Sequence, residues 1–310
     1  MKRRSINKDH YGYIFIAPFI IVFIAFVMYP IANTFRLSFT DWQIMSALPG
    51  NFIGIDNFIQ LFNSPMFFLA LRNTWTLWFF TFIPQVAFAL ILAAMFTSST
   101  FKLKGGGFFK AMYYLPNLFM PATVAALFNT YLSIFGPLNQ FLVGMGFMEA
   151  PRHFLQFPMD ARIVIIFLGW WMWFGQTAIV LSAGMTSISP TYYESAMVDG
   201  ASQRRMFLGI TLPLLRPILL FVLVTSLTGG LQAFDIPFLI TNGRGDPQGS
   251  IMTLNIFMNL RRASAMGDVG AAAAISVVLF IMSSASAAVL FRVFRDRSDD
   301  NPKIRKGRYS

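Results

Sequence analysis

The chain has 310 residues, of which 56% are hydrophobic and only 12% charged, and its mean hydropathy is +0.60. Soluble domains carry about 25% charged residues, so a chain this poor in charge cannot cover its surface against water and belongs in lipid. The sequence has no cysteine, which excludes disulfide frameworks, thiolate nucleophiles and Cys-ligated zinc, and its two histidines, His10 and His153, do not make a metal site or a catalytic triad.

Six apolar runs free of charged side chains predict six transmembrane helices, because about 20 apolar residues are needed to cross a hydrocarbon core roughly 30 Å thick. We place these helices at residues 13–34, 74–97, 110–133, 163–185, 215–240 and 270–292. The first run is too long for a signal peptide and shows no small-residue cleavage site before Pro30, so we expect it to remain as a helix. The predicted fold class is all-α and integral to the membrane, with both termini on one side.

Lysine and arginine lie mostly on one side of these six helices. The opposite side holds a small set of arginines: Arg36, Arg72, Arg152, Arg162, Arg244, Arg261 and Arg262. By the positive-inside rule the richer side is cytoplasmic, so residues 1–12 and 293–310 are expected to be cytoplasmic tails. The net charge of +11 is thereby explained, and we expect membrane lipid but no nucleic acid as a partner.

The segment at 186–216, between the fourth and fifth helices, predicts two short helices that meet at a corner on the cytoplasmic side. Ser189 suits an N-cap and Pro190 the first helical position, where its missing N–H costs nothing. Asp199 and Gly200 end this helix, since glycine adopts the left-handed conformation that terminates helices.

The second helix of this segment is expected to follow the cap residue Ser202, to run to about Ile210 and to stop near Pro213. Its apolar side chains Phe207 and Ile210 share one face. The segment is therefore expected to form a compact helix-turn-helix against the membrane.

The residue order of this segment carries a family resemblance. ESAMVDGA from Glu194, followed by Phe207 and by Leu212 and Pro213, resembles the EAA loop of permease subunits of ABC importers, with Ser195 replacing the motif's first Ala. The resemblance extends over nearly the whole chain, to the first of the two permeases in sugar importers of the maltose, glycerol-phosphate and multiple-sugar type. The stretches that carry it are YIFIAPFIIVFIAFVMYPIANTFRLSFTDW, FIGIDNFIQLFNSPMFFLALRNTWTLWF, GPLNQFLVGMG, QAFDIPFLITNGRGDPQGS and GDVGAAAAISVVLFIMSSASAAVLFR.

The resemblance implies the type I ABC importer permease fold, in the cytoplasmic (inner) membrane of a prokaryote. It also implies three partners: a second, different permease, a dimeric nucleotide-binding ATPase and an extracellular sugar-binding protein. The residues that it assigns to coupling with the ATPase are Glu194, Ala196, Asp199, Gly200, Ala201 and Phe207. With no internal repeat or linker visible, we expect a single transmembrane domain over 1–310 in which 186–216 is the coupling loop.

The chain lacks the G-x-x-x-x-G-K-[ST] motif that holds nucleotide phosphates and magnesium. It is therefore not expected to be an enzyme or to bind a cofactor of its own, and ATP and Mg²⁺ are expected on the partner ATPase.

Polar and aromatic residues within the predicted helices indicate the substrate pathway, because burying an unpartnered amide costs about 1 to 3 kcal/mol. The candidates are Gln232, Asp235, Gln176, Trp173, Gln85 and Asn117. Packing or lipid anchoring explains Trp173 better than sugar stacking does, whereas structural hydrogen bonds and sugar contact explain Gln232 and Asp235 equally well. Pro116 and Pro121 indicate a distorted third helix.

The function expected from these observations is that of a permease subunit forming half of the pathway for a carbohydrate. The near-neutral exterior fits an uncharged oligosaccharide, and a sugar phosphate stays open because the partner permease is able to supply charge. The alternative is an ion-coupled secondary transporter, for which Asp235 is the one hint in the predicted helices.

Overall fold

The computed structural model of the chain describes residues 9–46, 50–97, 105–243, 245 and 250–294, and these residues are helical apart from turns and two isolated β-bridges. The α-helices up to residue 150 are α1 Asp9–Phe23, α2 Tyr29–Leu37, α3 Asp56–Phe62, α4 Pro65–Thr97, α5 Gly106–Leu118, α6 Pro121–Tyr131 and α7 Pro137–Gly144. Those that follow are α8 Pro158–Thr186, α9 Pro190–Val198, α10 Gln203–Met206, α11 Leu212–Leu214, α12 Arg216–Leu231, α13 Asp235–Ile240, α14 Leu254–Arg262 and α15 Val269–Phe294. Short π-helical or 3₁₀ stretches are Ile24–Met28, Phe154–Gln156 and Phe207–Thr211.

Five helical segments within the described residues are long and apolar enough to cross a membrane, and a bent pair raises the number to six. The five are Gly12–Leu37, Pro65–Thr97, Pro158–Thr186, Arg216–Ile240 and Val269–Phe294, and the bent pair is α5 with α6. Each of the six overlaps a span predicted from the sequence. The all-α membrane fold is thereby confirmed. The predicted tails lie mostly outside the described residues.

The third span is broken, so the prediction of a continuous helix over 110–133 is wrong. α5 and α6 meet at an angle of 87°. A proline disfavours the helical conformation in the residue before it, and Pro121 opens α6. Met120 accordingly has a ψ of 133° and Phe119 a ψ of 143°, both extended. The prolines that predicted distortion thus mark a complete break.

The fifth span is also interrupted, although the sequence predicted one helix over 215–240. α12 ends at Leu231 and α13 begins at Asp235, and Phe234 between them leaves the helical region with φ −128° and ψ −56°. Gly229 and Gly230 close α12, where glycine weakens a helix. The three-residue interruption changes which side chains of this span share a face.

Packing divides the chain into two compact units. One comprises the described residues up to Pro65 together with Met258–Phe280, and the other comprises Met66–Phe257 and the described residues from Ile281 onwards. In the first unit, the Asn57 amide donates hydrogen bonds to the carbonyl oxygens of Ser38 and Thr40 at 2.9 and 2.8 Å. The predicted single domain over 1–310 stays a prediction, since packing units are not a test of independent folding.

The second unit contains two apolar clusters that fix α4, α8 and α12. One includes Leu77, Ile165, Leu168, Met172, Ile236, Ile240 and Ile251. The other includes Ala89, Ala93, Ala178, Leu181, Met185, Leu215 and Val222. Both clusters contain buried residues of α4 and α8, which pack along most of their length as a result. These two helices, with α12, form the frame of the site described next.

Candidate functional site

The second unit holds a cavity of about 300 Å³ between α4, α8 and α12. α4 contributes Thr74, Leu77, Trp78, Thr81 and Gln85, and α8 contributes Ile165, Gly169, Trp173, Gln176, Thr177 and Val180. α12 contributes Phe221, Val222, Thr225, Ser226, Gly229 and Gly230, and the remaining wall consists of Ala233, Ile236, Pro237 and Thr253. The spacing of three or four residues along each helix places these side chains on one face, as expected for a lining surface.

The lining of the cavity is mostly apolar, carries a minority of polar side chains, and is uncharged among the described residues. Hydroxyl and amide side chains from all three helices reach it, and none of its lining residues is an Asp, Glu, Lys, Arg or His. Two tryptophans, Trp78 and Trp173, add flat apolar faces. Such a surface exchanges hydrogen bonds with neutral hydroxyl groups and stacks on apolar C–H faces, and it offers no partner for a charge.

A hydrogen-bond chain connects α4 with α8 at the cavity wall. The buried Gln85 amide donates to the Thr177 hydroxyl at 2.8 Å, and that hydroxyl donates to the carbonyl oxygen of Trp173 at 3.0 Å. Gln85 therefore has a structural partner as well as a place in the lining. The Trp173 side chain stands 47% exposed on the same wall.

Trp78 lies against the backbone of α12. A Cβ atom added to Gly230 would overlap the Trp78 indole, so the absence of a side chain at Gly230 is what admits the ring. Phe82 stacks on the same ring at a centroid distance of 5.4 Å, and Trp75 meets it edge-on at 5.6 Å. The Trp78 Nε1 is buried without a hydrogen-bond partner.

The structure brings together three of the six predicted pathway residues and leaves three outside the cavity. Gln85, Trp173 and Gln176 line it. Asn117 instead donates to the carbonyl oxygen of Met172 at 3.3 Å, which links α5 to α8. The other two, Gln232 and Asp235, are exposed and do not belong to the lining. The roles of all six in transport stay predictions.

Sequence reasoning missed Trp78 and the threonines of α4. A signal was present, because Thr74, Trp78, Thr81 and Gln85 recur at intervals of three or four residues along one helix face. Within an apolar run, threonine and tryptophan are typical of packing, so among these four residues only Gln85 stands out from the sequence alone.

The segment at residues 190–214, called the knob below, has the predicted corner. α9 follows Ser189 in the N-cap position with Pro190 first in the helix, and Gly200 has a φ of +73°. The Ala201 N–H donates to the carbonyl of Ala196 at 2.9 Å, and the Gly200 N–H to that of Met197 at 3.0 Å. These two bonds form a Schellman motif, which satisfies the last carbonyls of α9.

The second helix of the knob starts and ends close to where it was predicted, but part of it is π-helical. The Ser202 hydroxyl accepts a hydrogen bond from the Arg205 N–H at 3.4 Å, as an N-cap does. The helix then passes through a π-helical stretch, Phe207–Thr211, to α11, which ends at Leu214, one residue beyond the Pro213 where it was expected to stop. Pro213 provides the reason for the π-helical stretch, since it lacks the N–H of a regular turn and its ring displaces the carbonyl four residues earlier.

The knob is joined to the cavity helices on one face and exposed on the other. Phe207 packs against the apolar cluster that contains Leu215 of the α11–α12 junction and Leu181 of α8. On the free face, Glu194 and Asp199 are exposed. Apolar side chains stand exposed beside them, namely Tyr192, Met197, Val198 and Leu208. Surfaces of this kind mark contacts with another protein or with lipid.

No family model matches the chain. The lactose transport system permease protein LacF of Rhizobium radiobacter is 33% identical over 298 residues, which span 95% of this chain and 98% of LacF. The chain belongs to the permeases of sugar ABC importers. The arabinooligosaccharides transport system permease protein AraP of Bacillus subtilis is 30% identical over 283 residues, spanning 89% of this sugar-importer permease and 86% of AraP.

A solved structure gives the same assignment for the fold. The bacterial alginate ABC transporter in complex with an alginate pentasaccharide-bound periplasmic protein has a chain that matches this permease with a TM-score of 0.78 and 26% identity. The match covers 94% of this permease and 96% of that chain. The protein is thus a multi-pass membrane permease of the ABC importer fold, a transport subunit and not an enzyme.

Proposed function

We propose that this permease forms half of the pathway of an ATP-driven, binding-protein-dependent carbohydrate importer. The observation that carries the proposal is the position of the knob in the chain between α8 and α12, because both helices line the cavity. A force applied to the knob reaches two cavity walls through continuous helices.

We infer that the substrate is an uncharged oligosaccharide. The hydroxyl, amide and indole lining suits neutral hydroxyl groups and sugar C–H faces. LacF and AraP are named for lactose and for arabinooligosaccharides. The solved relative imports alginate, an acidic polysaccharide. A polyanion requires cationic partners, and the cavity of this permease contributes none.

The proposed contact with a dimeric nucleotide-binding ATPase rests on the knob. Met197 and Val198, three and four residues after Glu194, expose apolar surface on the same helix, and Val198 is 88% exposed. A rigid helix pair with such a surface suits a groove on a soluble partner. Glu194 would make polar contacts there, Phe207 would anchor the knob, and ATP and Mg²⁺ would be bound by the partner, since this sequence has no phosphate-binding loop.

The remaining partners complete the pathway. A second, different permease would supply the other half of the cavity wall, and an extracellular sugar-binding protein would deliver the substrate, as a periplasmic protein is bound in the solved alginate transporter. The membrane would be the prokaryotic cytoplasmic membrane. Both termini and the knob would face the cytoplasm, since most Lys and Arg lie on that side.

Uptake by the complete transporter in proteoliposomes tests the proposal. A labelled neutral oligosaccharide should accumulate only with ATP, the ATPase and the binding protein, and a uronic acid oligomer of equal length should accumulate far less. Uptake that persists without nucleotide and follows a proton gradient would instead establish the ion-coupled alternative. The described residues that line the cavity include no carboxylate, which argues against that outcome.

A further inference from the structure

The chain that follows the fifth span re-enters the interior of the second unit. Residues 251–257, IMTLNIF, are all buried, with exposed fractions from 0% for Ile251 to 9% for Asn255. Connections between helices normally run over the surface, because buried backbone needs hydrogen-bond partners. We call residues 250–257 the outer segment, and its burial requires that something satisfy its backbone.

Side chains of α4 provide part of that satisfaction. The Asn73 amide, itself buried, donates to the carbonyl oxygens of Ser250 at 2.8 Å and of Met252 at 3.0 Å. The neighbouring Thr74 hydroxyl accepts a hydrogen bond from the Leu254 N–H at 3.0 Å. Three hydrogen bonds from two adjacent residues of α4 therefore fix alternate residues of the outer segment, Ser250, Met252 and Leu254.

A side chain of α8, Arg162, also binds the outer segment. Arg162 Nη2 donates to the Ser250 carbonyl at 2.8 Å and to the Asn73 amide oxygen at 3.3 Å. Side chains of α4 and α8 thus donate to the same backbone oxygen, that of Ser250. In the described part of the chain, the hydrogen bonds of Arg162 go to neutral oxygens, unlike those of Arg152, which binds Asp160 at 2.6 Å. Its charge therefore strengthens the hold on the outer segment.

The outer segment also forms a wall of the cavity. Thr253 belongs to the lining, as does Thr74, which binds the next residue, Leu254. Since α4 begins at Pro65 and ends at Thr97, Thr74 lies nearer than Gln85 to the end opposite the knob. The outer segment therefore contributes to the cavity wall toward the end away from the knob.

We propose that the outer segment is the extracellular seal of the cavity, and that Asn73 and Arg162 are positioning residues that latch it. The proposal rests on the proposed function, which makes the cavity the pathway and sets its orientation. Because the latch spans two lining helices, a displacement of α8 against α4 separates Arg162 from Asn73 and frees the Ser250 carbonyl. α8 also leads to the knob, so the same helix connects the latch to the site of ATPase contact.

The absence of cysteine from the sequence permits a direct test. Ser226 lines the cavity from α12, and Ser226→Cys is a nearly isosteric reporter. In the complete transporter in right-side-out vesicles without ATP, a membrane-impermeant thiol reagent should label this reporter slowly. Adding Arg162→Gln or Asn73→Ala should accelerate labelling about tenfold, as expected from the loss of a charge-assisted hydrogen bond. Arg162→Lys keeps the charge and should give an intermediate rate.

Arg152→Gln is the matched control, because Arg152 is an arginine of the same side whose ion pair does not touch the outer segment. Its labelling rate should stay at that of the reporter alone. The proposal is overturned if Arg162→Gln leaves labelling unchanged, or if Arg152→Gln accelerates it equally. If Arg162→Gln prevents assembly, Arg162→Lys and Asn73→Ala decide by the same criterion. The labelling measurement needs no sugar. A failure to transport oligosaccharide would therefore refute the proposed function, and the labelling rates could still be compared.

Discussion

The phenol oxygen of Tyr193 lies 2.9 Å from the hydroxyl oxygen of Thr211, and this contact joins the two helices of the knob. Thr211 is buried, so its hydroxyl has little access to water if the partner is removed. Tyr193→Phe should therefore lower the free energy of unfolding by about 1 kcal/mol. A knob whose helices move separately transmits less force, so we expect more ATP hydrolysed per sugar imported, measured by parallel uptake and hydrolysis assays.

Thr211→Val in the same assays completes a double-mutant cycle. Since removing both partners leaves no unsatisfied group, the double variant should cost less than the sum of the two single variants. Strictly additive losses in the free energy of unfolding would show that the contact does not couple the two helices.

The effect of a substitution at Gly200 should depend only on how well the new residue adopts a left-handed backbone conformation. Its φ is +73°, and an added Cβ would meet no atom within 4 Å, so crowding does not contribute. A left-handed conformation costs a residue with Cβ about 1 to 2 kcal/mol, and asparagine tolerates it best. We expect Gly200→Val to reduce uptake strongly with normal membrane insertion, and Gly200→Asn to reduce it less.

Gly209 provides the comparison, because its added Cβ also meets open space but its φ lies in the ordinary range. Gly209→Val should transport better than Gly200→Val at equal expression. Equal losses at the two positions would mean that the turn at Gly200 does not set the geometry of the knob.

Replacement by alanine should have opposite effects on stability at two adjacent glycines of α12. An added Cβ at Gly230 overlaps the Trp78 indole, whereas one at Gly229 meets nothing within 4 Å. Gly230→Ala should thus destabilise the protein by about 1 to 3 kcal/mol and impair uptake by displacing a cavity wall. Gly229→Ala should stabilise it by up to about 1 kcal/mol through helix propensity. Thermal unfolding of the purified complex measures both, and a loss of stability in the Gly229→Ala variant would contradict the assignment.

The sequence alone predicts the parts of the fold that depend on local chemistry. The last span was expected at 270–292 and is found at Val269–Phe294, because apolar length alone determines a membrane helix. The corner at Gly200 was predictable because a left-handed helix end favours glycine at that position.

What escaped prediction depends on local breaks within apolar spans or on contacts between distant parts of the chain. Hydropathy does not register the break before Pro121, because both halves of the third span are apolar. Once α12 ends at Leu231, helical periodicity no longer relates Gln232 to the cavity face, and Gln232 lies outside the lining. Trp78 resembles any packing tryptophan until Gly230 is found against it.

Trp173 should contribute to sugar affinity through its exposed face. Its side chain lines the cavity and is 47% exposed, whereas Trp170, one turn earlier, stacks on Phe174 at 5.5 Å and does not line it. Aromatic stacking contributes about 0.5 to 1.5 kcal/mol, so Trp173→Ala should weaken binding of a neutral oligosaccharide about two- to twelvefold. Direct binding to the purified complex, without the extracellular binding protein, isolates this step. Trp170→Phe should leave the dissociation constant unchanged, and if it weakens binding as much as Trp173→Ala does, the sugar does not rest on this wall.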